Sequence, residues 1–430
     1  MQSINPYQID LFSLEHLADI NPLKKYEILF QYLPSHLIDT SVPTVGRPAV
    51  SKAALLKALI YKNLKPLPTL FDTAVELIDN PSIALRCGLL PGNNPNAIKE
   101  RLSAFLHDTP NAILQNIKQI LINELINFKE ISGTVLSIDS CPLPAQVKEN
   151  NLKTSVKNRF DKSKIPLGDP DARLGIIVHF KDGSTKKVEF FWGYRHHVII
   201  DALSELPLAE ITKPANVSEQ SLFIPLFTEV KSLPLTIKEV LADAGYDTEQ
   251  ILTYIVNELK ALPRVARNPR CQKHGGFKPS SSGGLICIGG FEMLARGTFH
   301  DRGRLRRKFV CPIKHSKKFA LLHPCCPWNL PQFLNGNGCY AYLRADENVR
   351  QSIDYSSASY KKSYNLRTGS ERVFSRLLTL CMQNPSVVGL SAIANHCTIA
   401  HITVLLVALA AVKTGNKNKI RFIKRFLPFL

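Results

Sequence analysis

Two short runs constrain this chain more than anything else in it. Thr134-Val135-Leu136-Ser137-Ile138-Asp139-Ser140 and Ile237 to Asp243 are largely apolar, and each ends on an aspartate followed by turn residues. Runs of this length, bounded by turns, predict buried strands. The first delivers Asp139 and the second Asp243, each at the C-terminal part of its strand. A carboxylate carried into the interior is costly unless it is paired or holds a metal. Local alternatives exist for both: Asp139 as a turn aspartate ahead of Pro142, and Asp243 as the opening residue of the Ala244-Gly245 turn.

The pattern around these runs predicts a mixed α/β chain. Leu174–Phe180, Lys187–Tyr194, Val198–Ala202 and Leu206–Thr212 read as strands. The turn Lys181-Asp182-Gly183-Ser184 makes the first two antiparallel neighbours. Val217 to Lys231 reads as a helix. Ala145 to Arg173 is polar and basic with few apolar anchors, which predicts a mobile loop. Before Thr134 the period is helical. Pro43 to Pro48 is a turn-rich lead-in. Helices are expected over Ser51–Leu64, over Leu70–Ile78, from Pro95, and from Pro110, where Ile113, Leu114, Ile117, Ile120, Leu121 and Leu125 share one face. Lysines and arginines lie off these stripes. They are either the solvated face of a small bundle or the surface of a DNA-end-binding domain.

A third acid stands far downstream, in Tyr364-Asn365-Leu366-Arg367-Thr368-Gly369-Ser370-Glu371-Arg372-Val373-Phe374-Ser375-Arg376. Thr368 and Glu371 have the spacing of a capping box, so a helix is expected to start here with Glu371 in its first turn. Two strand aspartates and one helix-start glutamate are a minimal ligand set for two divalent ions. Such a pair activates the attacking oxygen and steadies the leaving one in phosphoryl transfer. Magnesium suits a site of few carboxylates completed by water and substrate oxygens.

The charge balance agrees. The formal net charge is +19, an excess that calls for an anionic partner, most simply nucleic acid. The apolar stretch Thr398 to Val412 is short for a membrane span and reads as a buried helix. With no secretory signal visible at the start, the ten cysteines read as reduced thiols of a cytosolic chain. Six of them fall in a segment of different character, residues 260–345. Between Lys260 and Lys318 this segment holds 15 Lys/Arg against two acids, Glu292 and Asp301. Cys271 with His274, and Cys311 with His315, have metal-ligand spacing. A structural zinc drawing on Cys271, His274, Cys287, Cys311, Cys325 and Cys339 is one reading, and packing thiols are the other.

Taken together these stretches resemble the DDE transposases of bacterial insertion sequences. Leu136–Ser140 is similar to the family's first-aspartate strand, and Val240-Leu241-Ala242-Asp243-Ala244-Gly245-Tyr246-Asp247 to its second-aspartate block. Asp169-Pro170-Asp171-Ala172-Arg173, Trp192-Gly193-Tyr194-Arg195-His196-His197 and Pro214-Ala215-Asn216 resemble segments between them. Tyr364, Arg367 and Glu371 fit the Y-(2)-R-(3)-E part of the Y-(2)-R-(3)-E-(6)-K signature. The lysine position is Leu378, and Arg372 or Arg376 is the nearest replacement charge. The resemblance implies an RNase H-like α/β core (131–259 and 346–430), an all-helical N-terminal domain (1–130), and a basic Cys-rich insertion (260–345) ahead of the last catalytic residue. It implies Asp139, Asp243 and Glu371 as catalytic ligands of two Mg²⁺ ions. It further implies Tyr364 and Arg367 on the terminal DNA phosphates, with Arg376 as a further DNA-binding residue. Element terminal repeats and target DNA would be the partners, with a homodimer or higher assembly in a synaptic complex and a cytoplasmic, nucleoid-associated setting. Two rivals keep the fold and lose part of the chemistry: a catalytically inactive DNA-binding descendant, and a nuclease without strand transfer.

Overall fold

The structure, a computed structural model, describes residues 23–39, 50–90, 92–181, 185–268, 276–279, 285–344, 349, 353, 355 and 357–423. The expected lead-in at Pro43 to Pro48 and the turn at 182–184 lie outside the described residues. The chain forms two compact units. The first comprises residues up to Ala242, then Leu259–Arg264 and Lys362 onward; the second comprises Asp243–Glu258 and Val265–Lys361.

The first unit begins with helices α1 (Lys24–Gln31), α2 (Lys52–Leu64), α3 (Leu70–Asp79), α4 (Pro81–Cys87), α5 (Pro95–Asp108) and α6 (Asn111–Asn127). Their starts follow local chemistry. Ser51 accepts from the Ala54 amide, Thr69 and Asp72 form a full capping box, and Asn94 caps the α5 turn that opens with Pro95. The four expected helices are present, and the short α1 and α4 are added to them.

A six-stranded sheet follows: β1 (Val135–Pro144), β2 (Arg173–Lys181), β3 (Thr185–Asp201), β4 (Leu206–Pro214), β5 (Glu239–Ala242) and β6 (Leu262–Val265), with α7 (Glu219–Lys231) between β4 and β5. The order is β2-β3-β1-β5-β6, and β4 pairs with β3. β1 runs antiparallel to β3, from Leu136 opposite Asp201 to Pro144 opposite Gly193, and parallel to β5 over Val135–Ser137. This mixed sheet, with its helical region, is an RNase H-like α/β fold.

Three expectations change. The strands expected at 187–194 and 198–202 are one strand, because β3 spends its first half on β2 and its second half on β1 and β4. β1 does not stop at Asp139 but continues to Pro144. Its pairing with β5 ends at Ser137, so among the described residues Pro142 and Pro144 pair with β3 alone, where a missing N–H is tolerated. The loop after it is not loosely held. The Arg159 guanidinium donates to the carbonyls of Glu149, Asn151 and Thr154. The Trp192 indole donates to the Arg159 carbonyl at 2.8 Å.

After α12 (Ala358–Tyr364) and α13 (Thr368–Thr379) the unit closes on α14 (Leu390–Lys413). Among the described residues α14 is the one helix long and apolar enough to cross a membrane, and 94% of its apolar window is buried inside the protein. Its polar side chains all find partners in neighbouring elements. Asn395 donates to the carbonyls of Leu106 and Thr109, Thr398 donates to Glu210, Thr403 pairs with Asn63, and His401 meets His196. Asp171 accepts from the Leu390 amide at 2.9 Å, so the Asp-Pro-Asp segment caps this helix.

The second unit holds α8 (Glu249–Asn257), the pair β7 (Lys278–Pro279) and β8 (Leu285–Ile286), and a sheet of β9 (Leu294–Asp301), β10 (Arg304–Val310) and β11 (Tyr340–Arg344) in the order β11-β10-β9. The short helices α9 (Pro312–His315), α10 (Lys317–Leu322) and α11 (Pro331–Leu334) lie between β10 and β11.

Candidate active site

Asp139 sits in the middle of β1. Ser137, two residues earlier, shares its strand face and is fully buried. The Ser137 hydroxyl lies 2.8 Å from that of Ser370 in the first turn of α13. That contact fixes the start of α13 against β1. Glu371 is the next residue after Ser370.

Arg367 closes the pair. One guanidinium nitrogen donates to Asp139 Oδ2 at 3.0 Å and the other to Glu371 Oε1 at 2.8 Å. Its charge lies 6.0 Å from the Tyr364 ring centre, within cation–π range. Burial alone would lower its pKa, but Asp139, Tyr364 and Glu371 together raise it, so the cation is held firmly. The acids differ in setting: the Asp139 side chain is 19% exposed and that of Glu371 is 60% exposed.

The expected capping box at Thr368 and Glu371 is absent. Arg367 already has helical backbone angles, since α13 follows directly from a 3₁₀ turn over Asn365–Arg367. Thr368 therefore donates to the Asn365 carbonyl, and the Glu371 carboxylate is taken by Arg367.

Behind Glu371 lies a residue that sequence reasoning missed. Glu205, buried in the β3–β4 turn, accepts from Arg372 at 2.8 Å, Arg376 at 3.0 Å and Arg421 at 3.2 Å. Arg376 donates also to the Glu205 main-chain carbonyl, and burial pushes its pKa down to about 10. Thus Arg376, expected on DNA, is engaged with Glu205 and anchors α13 to the sheet. On the far side of Asp139, Ser140 donates to Glu219 at 2.8 Å, and Glu219 also pairs with Arg195 of β3.

Asp243 follows the last residue of β5 and belongs to the second unit, where its side chain accepts from the Gly245 amide at 2.8 Å and caps a 3₁₀ turn. Of the expected zinc ligands, Cys271 and His274 lie outside the described residues. Cys325 is exposed. Cys287 and Cys339 pack with Leu285, Met293 and Phe309, and Cys311 packs with Ile313, Cys326 and Phe333. Among the described residues no three His, Cys, Asp or Glu side chains form a metal-ligand set. The Asp139–Glu371 pair nonetheless suits a cation, because a guanidinium already bridges it.

The mixed sheet thus presents a strand aspartate beside a helix-start glutamate, bridged by one arginine. The sequence profile of the transposase DDE domain matches residues 154–407, more than half of the chain, and the chain belongs to that family. The matched residues include Asp243 and Glu371, and Asp139 precedes them. Among solved structures, the cryo-electron microscopy structure of a piggyBac transposase synaptic complex with hairpin DNA aligns over 95% of this chain and 79% of that one, at 12% identity and a TM-score of 0.36. No curated protein matches the chain.

Proposed function

We propose that this transposase-family chain cuts DNA at the ends of a mobile element and transfers the freed 3′ end into target DNA, using Asp139, Asp243 and Glu371 as ligands of Mg²⁺. The observation that carries the reading is Arg367 held between Asp139 and Glu371. Two acids, one 228 residues before Arg367 and the other four after it, face one cation. When bound, a divalent ion pair would activate the attacking oxygen and neutralise the leaving one. The chain's own residues do the rest. Ser137 and Ser370 set the distance between β1 and α13. Glu205 fixes the helix through its arginines. Arg367 and Tyr364 present a planar cation and a ring to the scissile region, and a guanidinium suits the paired oxygens of a phosphate.

The net charge of +19 supports a DNA partner and a nucleoid-associated, cytoplasmic setting. The α1–α6 region is the candidate for gripping element ends, with two or more chains joining the ends in a synaptic complex. The test is single-turnover nicking of element-end DNA by Asp139→Asn, Asp243→Asn and Glu371→Gln. Each is expected to lose cleavage by 10³-fold or more. DNA binding and thermal unfolding should stay near wild type. Near wild-type cleavage by any one variant removes that residue from the site.

A further inference from the structure

We infer that Arg367 is the built-in counterion of the metal-free site, and that its release from Asp139 and Glu371 to a DNA phosphate couples metal loading to DNA binding. The inference rests on the carboxylate site proposed above. Its ground is the division of one guanidinium between two acids, with one nitrogen 3.0 Å from Asp139 and the other 2.8 Å from Glu371. A cation so placed satisfies the oxygens that a divalent ion would need. Both cannot hold them together. An incoming metal must therefore displace the guanidinium or bear its repulsion, and each route weakens metal binding.

The surroundings favour release by DNA. The Asp139 end of the contact is sheltered, whereas Glu371 is 60% exposed, so a phosphate can approach from the Glu371 side. A phosphate offers the planar fork two oxygens in place of the two it gives up. Glu371 and Arg367 are also only four residues apart on one helical turn, so a rotamer change of the arginine needs no movement of the backbone. Linkage then runs both ways. DNA should tighten metal binding, and metal should tighten DNA binding by the same factor.

Mn²⁺ is the probe, with free ion counted by electron paramagnetic resonance over the full-length protein, with and without a saturating short DNA duplex. Wild type should bind Mn²⁺ roughly tenfold more tightly with DNA, within the range typical of coupled sites. Arg367→Gln should bind Mn²⁺ about tenfold more tightly than wild type without DNA, and DNA should add little further. Arg367→Lys, which keeps the charge and loses the fork, should fall between, and it carries the comparison if the glutamine variant does not fold. Asp139→Asn and Glu371→Gln separate the two levels of the argument. If they weaken Mn²⁺ binding while Arg367→Gln leaves it unchanged or weaker, the counterion role is overturned and the carboxylate site stands. If neither acid variant affects Mn²⁺ binding, the carboxylate site is wrong, and the counterion role with it.

Discussion

Acidification is expected to destabilise the first unit well above the pH at which carboxylates protonate. Four histidines are buried beneath the site: His196 and His197 on β3, His396 and His401 on α14. Burial, the largest cause for each, pushes His196 down to about 4 and His197 and His396 to about 3, and moves His401 down as well. His196 Nε2 and His401 Nε2 lie 2.7 Å apart, so one neutral ring donates to the other. The sign follows from these directions. Folded values lie below the ordinary 6.5, so the folded state excludes protons that the unfolded chain takes up. The histidine contribution is fully present above about pH 6.5 and is lost as pH falls toward 4 and then 3. One unit below 6.5, each excluded proton costs about 1.4 kcal/mol, so the four together approach ~5 kcal/mol between pH 7.5 and 5.5. That is comparable with the whole stability of an ordinary domain. Glu210, pushed down to about 2, adds its own loss only as pH falls below its ordinary 4.5 and leaves this window clear. Urea unfolding at pH 7.5, 6.5 and 5.5, followed by the fluorescence of the buried Trp192, measures the slope. A change under about 1 kcal/mol across the window would refute the argument that these rings are held neutral.

Glu205→Ala is expected to cost about 3 kcal/mol, because it strips the carboxylate from the mostly buried Arg376, whereas Arg372→Ala should cost under about 1 kcal/mol, since Arg372 is 53% exposed. Equal losses in urea unfolding would mean that Glu205 does not anchor α13. Gly193→Ala should cost about 3 kcal/mol, since its added Cβ would sit 2.2 Å from the Leu143 carbonyl oxygen and 2.8 Å from the Ala145 nitrogen. Gly369→Ala meets nothing closer than 3.5 Å, so its thermal unfolding should stay near wild type. A Gly193→Ala protein as stable as Gly369→Ala would show that β1 and β3 do not approach as closely as described.

What the sequence disclosed and what it hid divide along a physical line. Period-2 and apolar runs placed β1, β5 and the acids that they carry, because a buried strand must be written in residues that tolerate burial. The 3.6 period placed α2, α3, α5, α6 and α14 for the same reason. Features that depend on a distant partner left no local trace. Arg376 reads as a DNA-facing charge until Glu205, 171 residues away, is seen to accept from it. Thr368 and Glu371 have capping-box spacing, yet the box fails because Arg367 competes for the carboxylate. The loop after β1 looks unanchored in sequence because its ties run to main-chain carbonyls through Arg159, and carbonyls have no sequence signature.

The same division explains how the Thr-Gly-Ser-Glu run positions the acid proposed as catalytic. A helix start lies close to a sheet only where small side chains face it. Gly369 and Ser370 are both buried, and Ser370 meets Ser137 hydroxyl to hydroxyl. Two short polar groups satisfy each other in the interior, which keeps the desolvation cost low. Ser137 and Asp139 alternate onto one face of β1, while Ser370 and Glu371 are consecutive on α13. The serine contact therefore sets the spacing of the acids without touching either of them. Arg372 and Arg376 then hold the helix to the buried Glu205, so α13 is fixed at its small-residue edge and along its basic flank. Glu371 remains the exposed member of the set, held by its backbone and by Arg367. An acid held in this way keeps its backbone in place while its side chain can change partner.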